Sequence, residues 1–490
     1  MYISTKKVFY TSITLLLLIM QISIGFMGKI NEINKLDFIN FYSFVIIISY
    51  IWSIFSWQKL RKELLSPYIL FLTTTYIFTA GQCFLWAFNV GIDSFYDLRL
   101  KFSYNQIFEA QFYTGVSLTA FHLGAIVFSN LKKEKVNFNE IKIENFNVSM
   151  KAIRQVGGIL FLIAIIPTIL VLKNQLSIAL TLGYTKIYDQ EVATGLSGVI
   201  DDIALYIIPA LICLMIGYSS QKLYKQQLPI VLASIYIIIY LVIGLRSKAM
   251  VMLLTVAIIW HYCIKRIKGK QLFISVFLGY CILSFLNVVS QLRSMTEKSF
   301  GDYYSLVIES FRNTKLFINT ISGMGWSMFP LIKTMEIVPQ NFSYRFGTSY
   351  LYSFTTIIPN LGFWDVHPAM KYSDLSTWLT KIINFPYGTG YSIVAEAYIN
   401  FSWFGPVIMF VIGAVISRYF TKVDKYSWKN NPEKFVLMII LFSMTVMTVR
   451  NNFISTVRAI FYYSLPTYFM IYLIKKQLMK KTIEIPIKIN

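Results

Sequence analysis

Charged residues are scarce in this sequence. Asp, Glu, Lys and Arg make up 14% of the 490 residues, whereas in a soluble chain they make up about a quarter. Hydrophobic residues reach 56% and aromatic residues 17%. This composition argues against a soluble globular protein and predicts an integral membrane protein.

Cysteine and histidine are also rare. The chain has three histidines and four cysteines, and the cysteines all lie within apolar runs: Cys83, Cys213, Cys263 and Cys281. Their spacing does not match any set of metal ligands, so they predict small buried residues without disulfides. No nucleotide-binding or P-loop pattern occurs either. We therefore expect no metal site and no cofactor.

Positive charge exceeds negative charge, giving a formal net charge of +22. Such an excess is typical of nucleic-acid-binding proteins. Here, however, the lysines lie in short loops between apolar runs, where membrane topology places them. We exclude nucleic acid as a partner for this reason. The basic start at Lys6 and Lys7, followed by an apolar run to Met27, predicts a first membrane anchor and not a cleaved signal peptide.

Apolar runs that could cross a hydrocarbon core of about 30 Å recur along the chain and predict an all-α, polytopic fold with about twelve transmembrane helices. They lie near residues 8–27, 39–57, 68–90, 109–130, 156–173, 198–218, 228–244, 247–264, 271–289, 402–420, 434–449 and 455–474. Between the ninth and tenth runs lies one long segment that does not span. The predicted division is a membrane domain (1–289), a large loop (290–401), and a second membrane domain with a C-terminal tail (402–490).

Lysine and arginine cluster in alternate loops, and the positive-inside rule places those loops in the cytoplasm. Both termini are then cytoplasmic, and the 290–401 loop lies on the outer side of the membrane. The apolar stretches of this loop favour contact with the membrane surface or re-entry into it. No repeat relates the two halves of the chain, which disfavours a secondary transporter.

Several arginines interrupt this charge pattern because they lie on the predicted outer side: Arg246, Arg293, Arg312, Arg345, Arg450 and Arg458. Each needs a compensating partner or a function. Headgroup contact would suffice, as would ion pairs with acids on that side such as Asp189, Glu191, Asp201 or Asp202. A guanidinium is also a planar fork of donors that fits phosphate oxygens. Arg246, Arg293 and Arg450 together favour a site that binds a pyrophosphate at headgroup depth.

The stretch 388–406 follows the long loop. Within it Ser392, Glu396 and Asn400 recur every four residues, so a helix would place them on one face. A carboxylate in such an apolar helix needs a partner or a purpose. Glu396 would either pair with an arginine, or act as a base, or position a sugar hydroxyl. His367, beside Asp365 in the outer loop, is the other candidate base, although an isolated loop histidine is more often incidental.

Three of these features resemble the Wzy-type polymerases of O-antigen or capsule repeat units in bacteria. About twelve predicted spans surround one large outer loop late in the chain. A Gly-x-Arg turn, Gly244-Leu245-Arg246, precedes a span. A pattern G-x-G-x-S-x-x-x-E-x-Y-x-N-F occurs at Gly388, Gly390, Ser392, Glu396, Tyr398, Asn400 and Phe401. Ser402 stands where the family has a further glycine.

The resemblance implies a glycosyltransferase of the bacterial inner membrane with its active site on the periplasmic face. The growing glycan would pass from undecaprenyl pyrophosphate to the non-reducing end of the next lipid-linked unit. Its partners would be the lipid-linked oligosaccharide, membrane lipids and, as a candidate, a chain-length regulator protein. Arg246, Arg293 and Arg450 would stabilise the leaving pyrophosphate, and Glu396 or His367 would take the acceptor proton. The substrate-binding residues would be Arg312, Arg345, Arg458, Ser392, Asn400 and Tyr398.

Three other functions compete with this one. The related O-antigen ligases share the architecture and use outer arginines and a histidine. A lipid-linked oligosaccharide flippase would be similarly basic, but it would have no need of the long outer segment. A metal-dependent glycosyltransferase would need acids in the first outer loop, where Glu32 and Asp37 are balanced by lysine.

Overall fold

The structure is a computed structural model. It describes residues 5–30, 35–92, 96–129, 143–181, 187, 196–271, 279, 315–360, 363–386, 388–425 and 428–483. This described part is helical and contains no strand. Its first nine α-helices are α1 (Thr5–Ile30), α2 (Lys35–Arg61), α3 (Pro67–Trp86), α4 (Tyr104–Phe128), α5 (Ile143–Thr181), α6 (Leu196–Ala204), α7 (Ile207–Tyr218), α8 (Leu223–Ile243) and α9 (Arg246–Ile259).

Shorter helices follow, and then the long C-terminal ones. They are α10 (Lys315–Gly325), α11 (Phe329–Ile337), α12 (Thr348–Ser353), α13 (Pro368–Tyr372), α14 (Leu375–Ile382), α15 (Ile393–Phe401), α16 (Gly405–Lys425), α17 (Pro432–Thr445), α18 (Phe453–Arg458) and α19 (Leu465–Ile483). Two π-helical turns, Trp260–Ile264 and Ala459–Ser464, extend α9 and join α18 to α19.

Ten helical segments are long and apolar enough to cross a membrane, counted over the described residues. Each coincides with a run predicted from the sequence, and the all-α, polytopic membrane fold is confirmed. The predicted span 109–130 is helix α4, whose buried face carries polar residues such as Gln111 and His122 that lower its hydropathy. Nearly all of the predicted span 271–289 lies outside the described residues. The count of twelve and the sidedness of the loops stay predictions.

The chain forms two compact units that are not contiguous in sequence. The first comprises Met1–Leu131, Lys268–Arg418 and Thr448–Ile454, and the second comprises Lys132–Ile267, Tyr419–Met447 and Ser455–Asn490. The first unit therefore holds α1–α4, α10–α15 and most of α16. The division into residues 1–289, 290–401 and 402–490 follows span prediction and stays a prediction of membrane topology.

Helices α1–α4 pack together in the first unit around a core that contains hydrogen-bonded polar groups. His122 is fully buried and contacts Ser56 Oγ at 2.8 Å and Tyr68 Oη at 2.9 Å. Helix α16 lies so close to α4 that a Cβ at Gly413 would stand 1.9 Å from the Phe121 carbonyl oxygen. Only glycine permits this approach, which is the small-residue packing typical of membrane helices.

The described part of the long loop packs on this bundle. Gln82 of α3 donates from Nε2 to the Ser322 carbonyl of α10 at 3.1 Å and to the Tyr96 carbonyl at 2.7 Å. Helix α11 packs against α15, where Thr334 Oγ1 lies 2.9 Å from Tyr391 Oη. Burial raises the pKa of Tyr391, so its phenol stays protonated at neutral pH and keeps this bond. These contacts give the candidate site a packed scaffold.

The second unit is built around α5 and α7, with α8, α9, α17 and α19 packed nearby. Glu433 in α17 is buried and accepts hydrogen bonds from Ser149 Oγ at 2.6 Å and Lys475 Nζ at 2.5 Å. A buried carboxylate is tolerated when it is paired in this way. Cys213 and Cys263 of this unit are buried and form no disulfide, and the same holds for Cys83 of the first unit. Cys281 lies outside the described residues.

Candidate active site

Helix α15 begins at a serine cap, and it carries the polar face that the sequence predicted. Ser392 Oγ accepts a hydrogen bond from the Ala395 N–H at 3.1 Å, which satisfies one of the free donors of the first turn. Ser392, Glu396 and Asn400 follow one another by turns and are at most 1% exposed. The structure thus places all three along one buried helix. Their direct contact with a substrate stays a prediction.

Both carboxylate oxygens of Glu396 accept hydrogen bonds from protein donors. Ser349 Oγ in α12 donates to Oε1 at 2.8 Å, and the backbone N–H of Phe453 donates to Oε2 at 2.8 Å. An unpaired buried carboxylate would cost several kcal/mol, and hydrogen bonds to its charged form offset that cost. Glu396 therefore joins three segments that lie far apart in the sequence.

Asn400 extends the same network. Its Nδ2 donates to Ser349 Oγ at 2.8 Å and to the Glu396 carbonyl at 2.7 Å, while its Oδ1 accepts from the Gly347 N–H at 3.0 Å. The amide is thus fully used, with both donors and its acceptor engaged. Ser349 donates to the glutamate and accepts from the asparagine, so the three side chains form one connected chain of hydrogen bonds.

Arg345 is fixed to the end of α15 through its backbone. Its N–H donates to the Ile399 carbonyl at 2.9 Å. The guanidinium lies over the Trp378 ring, 5.0 Å from the centroid, and Nη1 donates to the Tyr372 carbonyl at 2.5 Å. Burial lowers the pKa of Arg345, and Glu396 opposes that shift. Arginine's ordinary pKa is so high that the group stays charged.

Arg450 lies in the turn that Glu396 holds. The Arg450 carbonyl accepts from the Tyr391 N–H at 3.4 Å, and Phe453 follows three residues later. The residue is exposed, and its guanidinium lies 5.6 Å from the centroid of the Phe78 ring. Among the residues that the structure describes, no hydrogen bond or ion pair engages the Arg450 guanidinium, and Arg345 uses only Nη1. Both therefore retain donors for an anionic ligand.

A second hydrogen bond ties the segment of Arg450 to the helix that lies beneath Arg345. It is formed by two residues that sequence reasoning missed. Asn452 Nδ2 donates to Asp374 Oδ1 at 2.8 Å. Asp374 also accepts from the Thr377 N–H at 3.2 Å and so caps α14, the helix that carries Trp378 beneath Arg345. Asp374, three residues before Thr377, carries the local signature of a helix cap. Nothing local in the sequence signals its partner Asn452.

His367 caps the short helix α13. Its Nδ1 accepts from the Ala369 N–H at 3.2 Å, and its Nε2 lies 3.0 Å from the Ile358 carbonyl. Because Nδ1 accepts, the ring proton belongs on Nε2, which donates to that carbonyl. The ring is only partly buried and lies edge-on to Trp364 at 5.0 Å.

Tyr398, although on α15, points to different neighbours. Its hydroxyl lies 3.4 Å from the Val338 carbonyl and 3.5 Å from Tyr344 Oη. Its ring packs edge-on against Tyr113 at 5.3 Å. In these contacts Tyr398 packs against neighbouring side chains. Its role in substrate binding stays a prediction.

Four other arginines were predicted from the sequence to contribute to the site. Arg246 and Arg458 belong to the second unit, whereas Arg293 and Arg312 lie outside the described residues. Arg458 is paired: Nη2 donates to Asp202 Oδ1 at 2.5 Å, and Tyr463 Oη donates to the same oxygen at 3.1 Å. Within the described residues, the Arg246 guanidinium has no hydrogen bond or ion pair. Convergence of Arg246, Arg293 and Arg450 on one ligand stays a prediction.

A comparison with protein families decides the identity of the chain. A model described as O-antigen polysaccharide polymerase Wzy matches residues 8–482, nearly the whole length. The chain belongs to the Wzy O-antigen polymerase family. Neither the search of curated proteins nor the search of solved structures found a match.

Membership in the Wzy family gives the chain a broad role as a glycosyltransferase-type polymerase in the membrane, acting on lipid-linked oligosaccharide repeat units. In this Wzy chain the candidate site of the first unit contains the guanidiniums of Arg345 and Arg450 beside the Glu396–Ser349–Asn400 hydrogen-bond network. Within the described residues, no group of three His, Cys, Asp or Glu side chains has the arrangement of a metal site. The chemistry available from these residues is binding and stabilising negative charge.

Proposed function

We propose that this protein polymerises undecaprenyl-pyrophosphate-linked repeat units at the outer face of the bacterial cytoplasmic membrane. The growing glycan is the donor, and a hydroxyl at the non-reducing end of the next lipid-linked unit attacks its anomeric carbon. The bond between that carbon and the pyrophosphate oxygen breaks as the new glycosidic bond forms. Undecaprenyl pyrophosphate leaves with the bonding electron pair. The family match supports the reaction class.

Arg450 and Arg345 are proposed to stabilise the leaving pyrophosphate. The observation that carries this assignment is a pair of guanidinium groups with donors that no described residue engages. Arg345 is tied by its backbone to α15, and Arg450 to Tyr391, just before that helix. A leaving group that gains charge is stabilised most by donors that are already in position. Arg246 and Arg293 stay predicted pyrophosphate-binding residues, since both lie on the predicted outer side.

The acceptor proton is proposed to pass to His367. Its ring is partly exposed in the predicted outer loop, and its two hydrogen bonds are to backbone groups of the same loop. Release of the Nδ1 contact would free a lone pair at that nitrogen. A base needs only to receive the proton as attack proceeds, because pyrophosphate leaves readily.

The decisive experiment is a gel of surface polysaccharide from cells that lack the chain. We expect a band of single repeat units in these cells and a full ladder after complementation with the wild-type chain. Arg450→Lys and Arg345→Lys should each restore little of the ladder, because lysine keeps the charge but loses the planar fork. Arg99→Lys is the matched control, since Arg99 already has its carboxylate partner, Asp97, at 2.9 Å.

Other outcomes would overturn parts of the proposal. A full ladder from Arg450→Lys and Arg345→Lys would refute recognition of pyrophosphate by these guanidiniums. Loss of all surface glycan in cells without the chain would indicate a flippase instead. Long polymer that is not attached to its surface anchor would indicate a ligase.

A further inference from the structure

The Glu396 carboxylate bonds to two segments that each carry a candidate arginine, Arg345–Ser349 and Arg450–Phe453. It is 1% exposed, and each oxygen accepts a hydrogen bond of 2.8 Å, from Ser349 Oγ or from the Phe453 N–H. A general base must present a free lone pair to the proton that it removes. Each oxygen keeps a second lone pair, but Glu396 has no solvent-facing side from which an acceptor hydroxyl could reach it, so its geometry does not suit a base.

The same geometry suits a clamp between two segments. Ser349 follows Arg345 by four residues, and Phe453 follows Arg450 by three. Because one rigid carboxylate accepts from both segments, it fixes their separation. The backbone of α15 adds bonds on each side: Arg345 N–H to the Ile399 carbonyl at 2.9 Å, and the N–H of Tyr391, just before the helix, to the Arg450 carbonyl at 3.4 Å.

A second link that does not depend on Glu396 ties the Arg450 segment to the helix that lies beneath Arg345. Asp374 accepts from Asn452 Nδ2 at 2.8 Å and caps α14, whose Trp378 ring lies 5.0 Å below the Arg345 guanidinium. The Asp374 contact joins the Arg450 segment to α14, whose Trp378 lies against Arg345, and it does not involve Glu396. Loss of one Glu396 hydrogen bond should therefore shift the guanidiniums without unfolding the site.

We infer that Glu396 is a positioning residue that sets the spacing of Arg345 and Arg450 for the two phosphates of a lipid pyrophosphate, and that it does not receive the acceptor proton. This inference rests on the proposed function, because it assumes that these arginines bind the pyrophosphate. A small displacement of charged donors around a leaving group is expensive, since their contribution depends on being preorganised.

Two variants isolate the clamp. Glu396→Gln has the shape of glutamate, and its amide oxygen still accepts from the Phe453 N–H, but its NH₂ cannot accept from Ser349. Ser349→Ala removes the donor of the same bond and also the acceptor of the Asn400 Nδ2 bond. The matched control is Ser353→Ala, in the same helix: Ser353 is equally buried, and its hydroxyl donates only to the Ser349 carbonyl, at 2.7 Å.

The experiment uses purified full-length protein and measures two quantities. The first is equilibrium binding of undecaprenyl pyrophosphate, the leaving product. The second is the rate of polymerisation of a lipid-pyrophosphate-linked repeat unit as a function of pH. For Glu396→Gln we expect binding to weaken by about three- to tenfold, the effect of one hydrogen bond, and for Ser349→Ala we expect at least as large a loss. Polymerisation should fall by about tenfold at most, with an unchanged pH profile, and Ser353→Ala should match the wild type.

Other results would overturn the inference. If Glu396 is the base, Glu396→Gln should bind undecaprenyl pyrophosphate normally but lose about 10²- to 10⁴-fold in rate. If Glu396 only stabilises the fold, Ser349→Ala should lower the melting temperature and leave binding per folded molecule unchanged. Failure of the proposed function itself would look different, because the wild-type protein would then neither bind the lipid nor polymerise the repeat unit.

Discussion

Glu396 accepts a 2.8 Å hydrogen bond from the backbone N–H of Phe453, a residue 57 positions later in the chain. This single contact fixes the turn that carries Arg450 to the helix that carries the Ser392, Glu396 and Asn400 face. A helix with a buried carboxylate therefore organises arginines that come from other segments. The following predictions test this arrangement and the topology around it.

The side of the membrane on which the long loop lies can be tested by cysteine labelling. Asp365→Cys, exposed in this loop, should react with a membrane-impermeant maleimide in intact cells. Lys268→Cys, exposed in a loop predicted to be cytoplasmic, should react only after permeabilisation. The background carries Cys281→Ser, because Cys281 lies outside the described residues, whereas the other three cysteines are buried. The reverse labelling pattern would place the candidate site in the cytoplasm.

Asn400→Asp should destabilise the protein. The new carboxylate oxygen would replace Nδ2, which donates to Ser349 Oγ and to the Glu396 carbonyl. Two buried hydrogen bonds would be lost and a second negative charge would face Glu396, at a cost of about 2–4 kcal/mol. The melting temperature in detergent measures the effect. The exposed Asn341→Asp serves as control, and equal melting temperatures for the two variants would refute the buried network.

The two glycines of the Gly388-Thr389-Gly390 motif should differ in their tolerance of alanine. Gly390 has φ +67°, a left-handed conformation that costs an alanine about 1–2 kcal/mol. A Cβ at Gly388 would meet nothing within 4 Å. Gly390→Ala should therefore shorten the polysaccharide ladder, because the strain reaches Tyr391 and the Arg450 carbonyl, whereas Gly388→Ala should leave it intact. Equal effects would mean that the motif acts through something other than this backbone conformation.

Asp202 and Arg458 should behave as a coupled pair in the second unit. Their contact of 2.5 Å is shared with Tyr463, but the side chains are 36% and 41% exposed. Screening by solvent limits the coupling to about 0.2–1 kcal/mol. Melting temperatures of Asp202→Asn, Arg458→Gln and the double variant form the test, and the double variant should lose less than the sum of the single losses. Strict additivity would show that the ion pair contributes nothing to stability.

Much of the fold was predictable from local sequence. Helices α1–α3 and the long C-terminal helices follow from apolar runs whose lengths match a bilayer, and hydropathy depends only on neighbouring residues. The shared face of Ser392, Glu396 and Asn400 follows from helical periodicity for the same reason. The family resemblance, drawn from short motifs, is confirmed over residues 8–482.

The sequence by itself thus determined an all-α membrane protein, its family, and a polar face on one buried helix. Only the tertiary structure decided what that face touches: Ser349 and Phe453 are 47 and 57 residues from Glu396, and Asn452 is 78 residues from Asp374. It also distinguished Arg458, which has an acidic partner, from Arg345 and Arg450, which have no acidic partner among the described residues. The physical reason is that hydropathy and helical period are properties of adjacent residues. Hydrogen-bond partners depend on how distant segments pack.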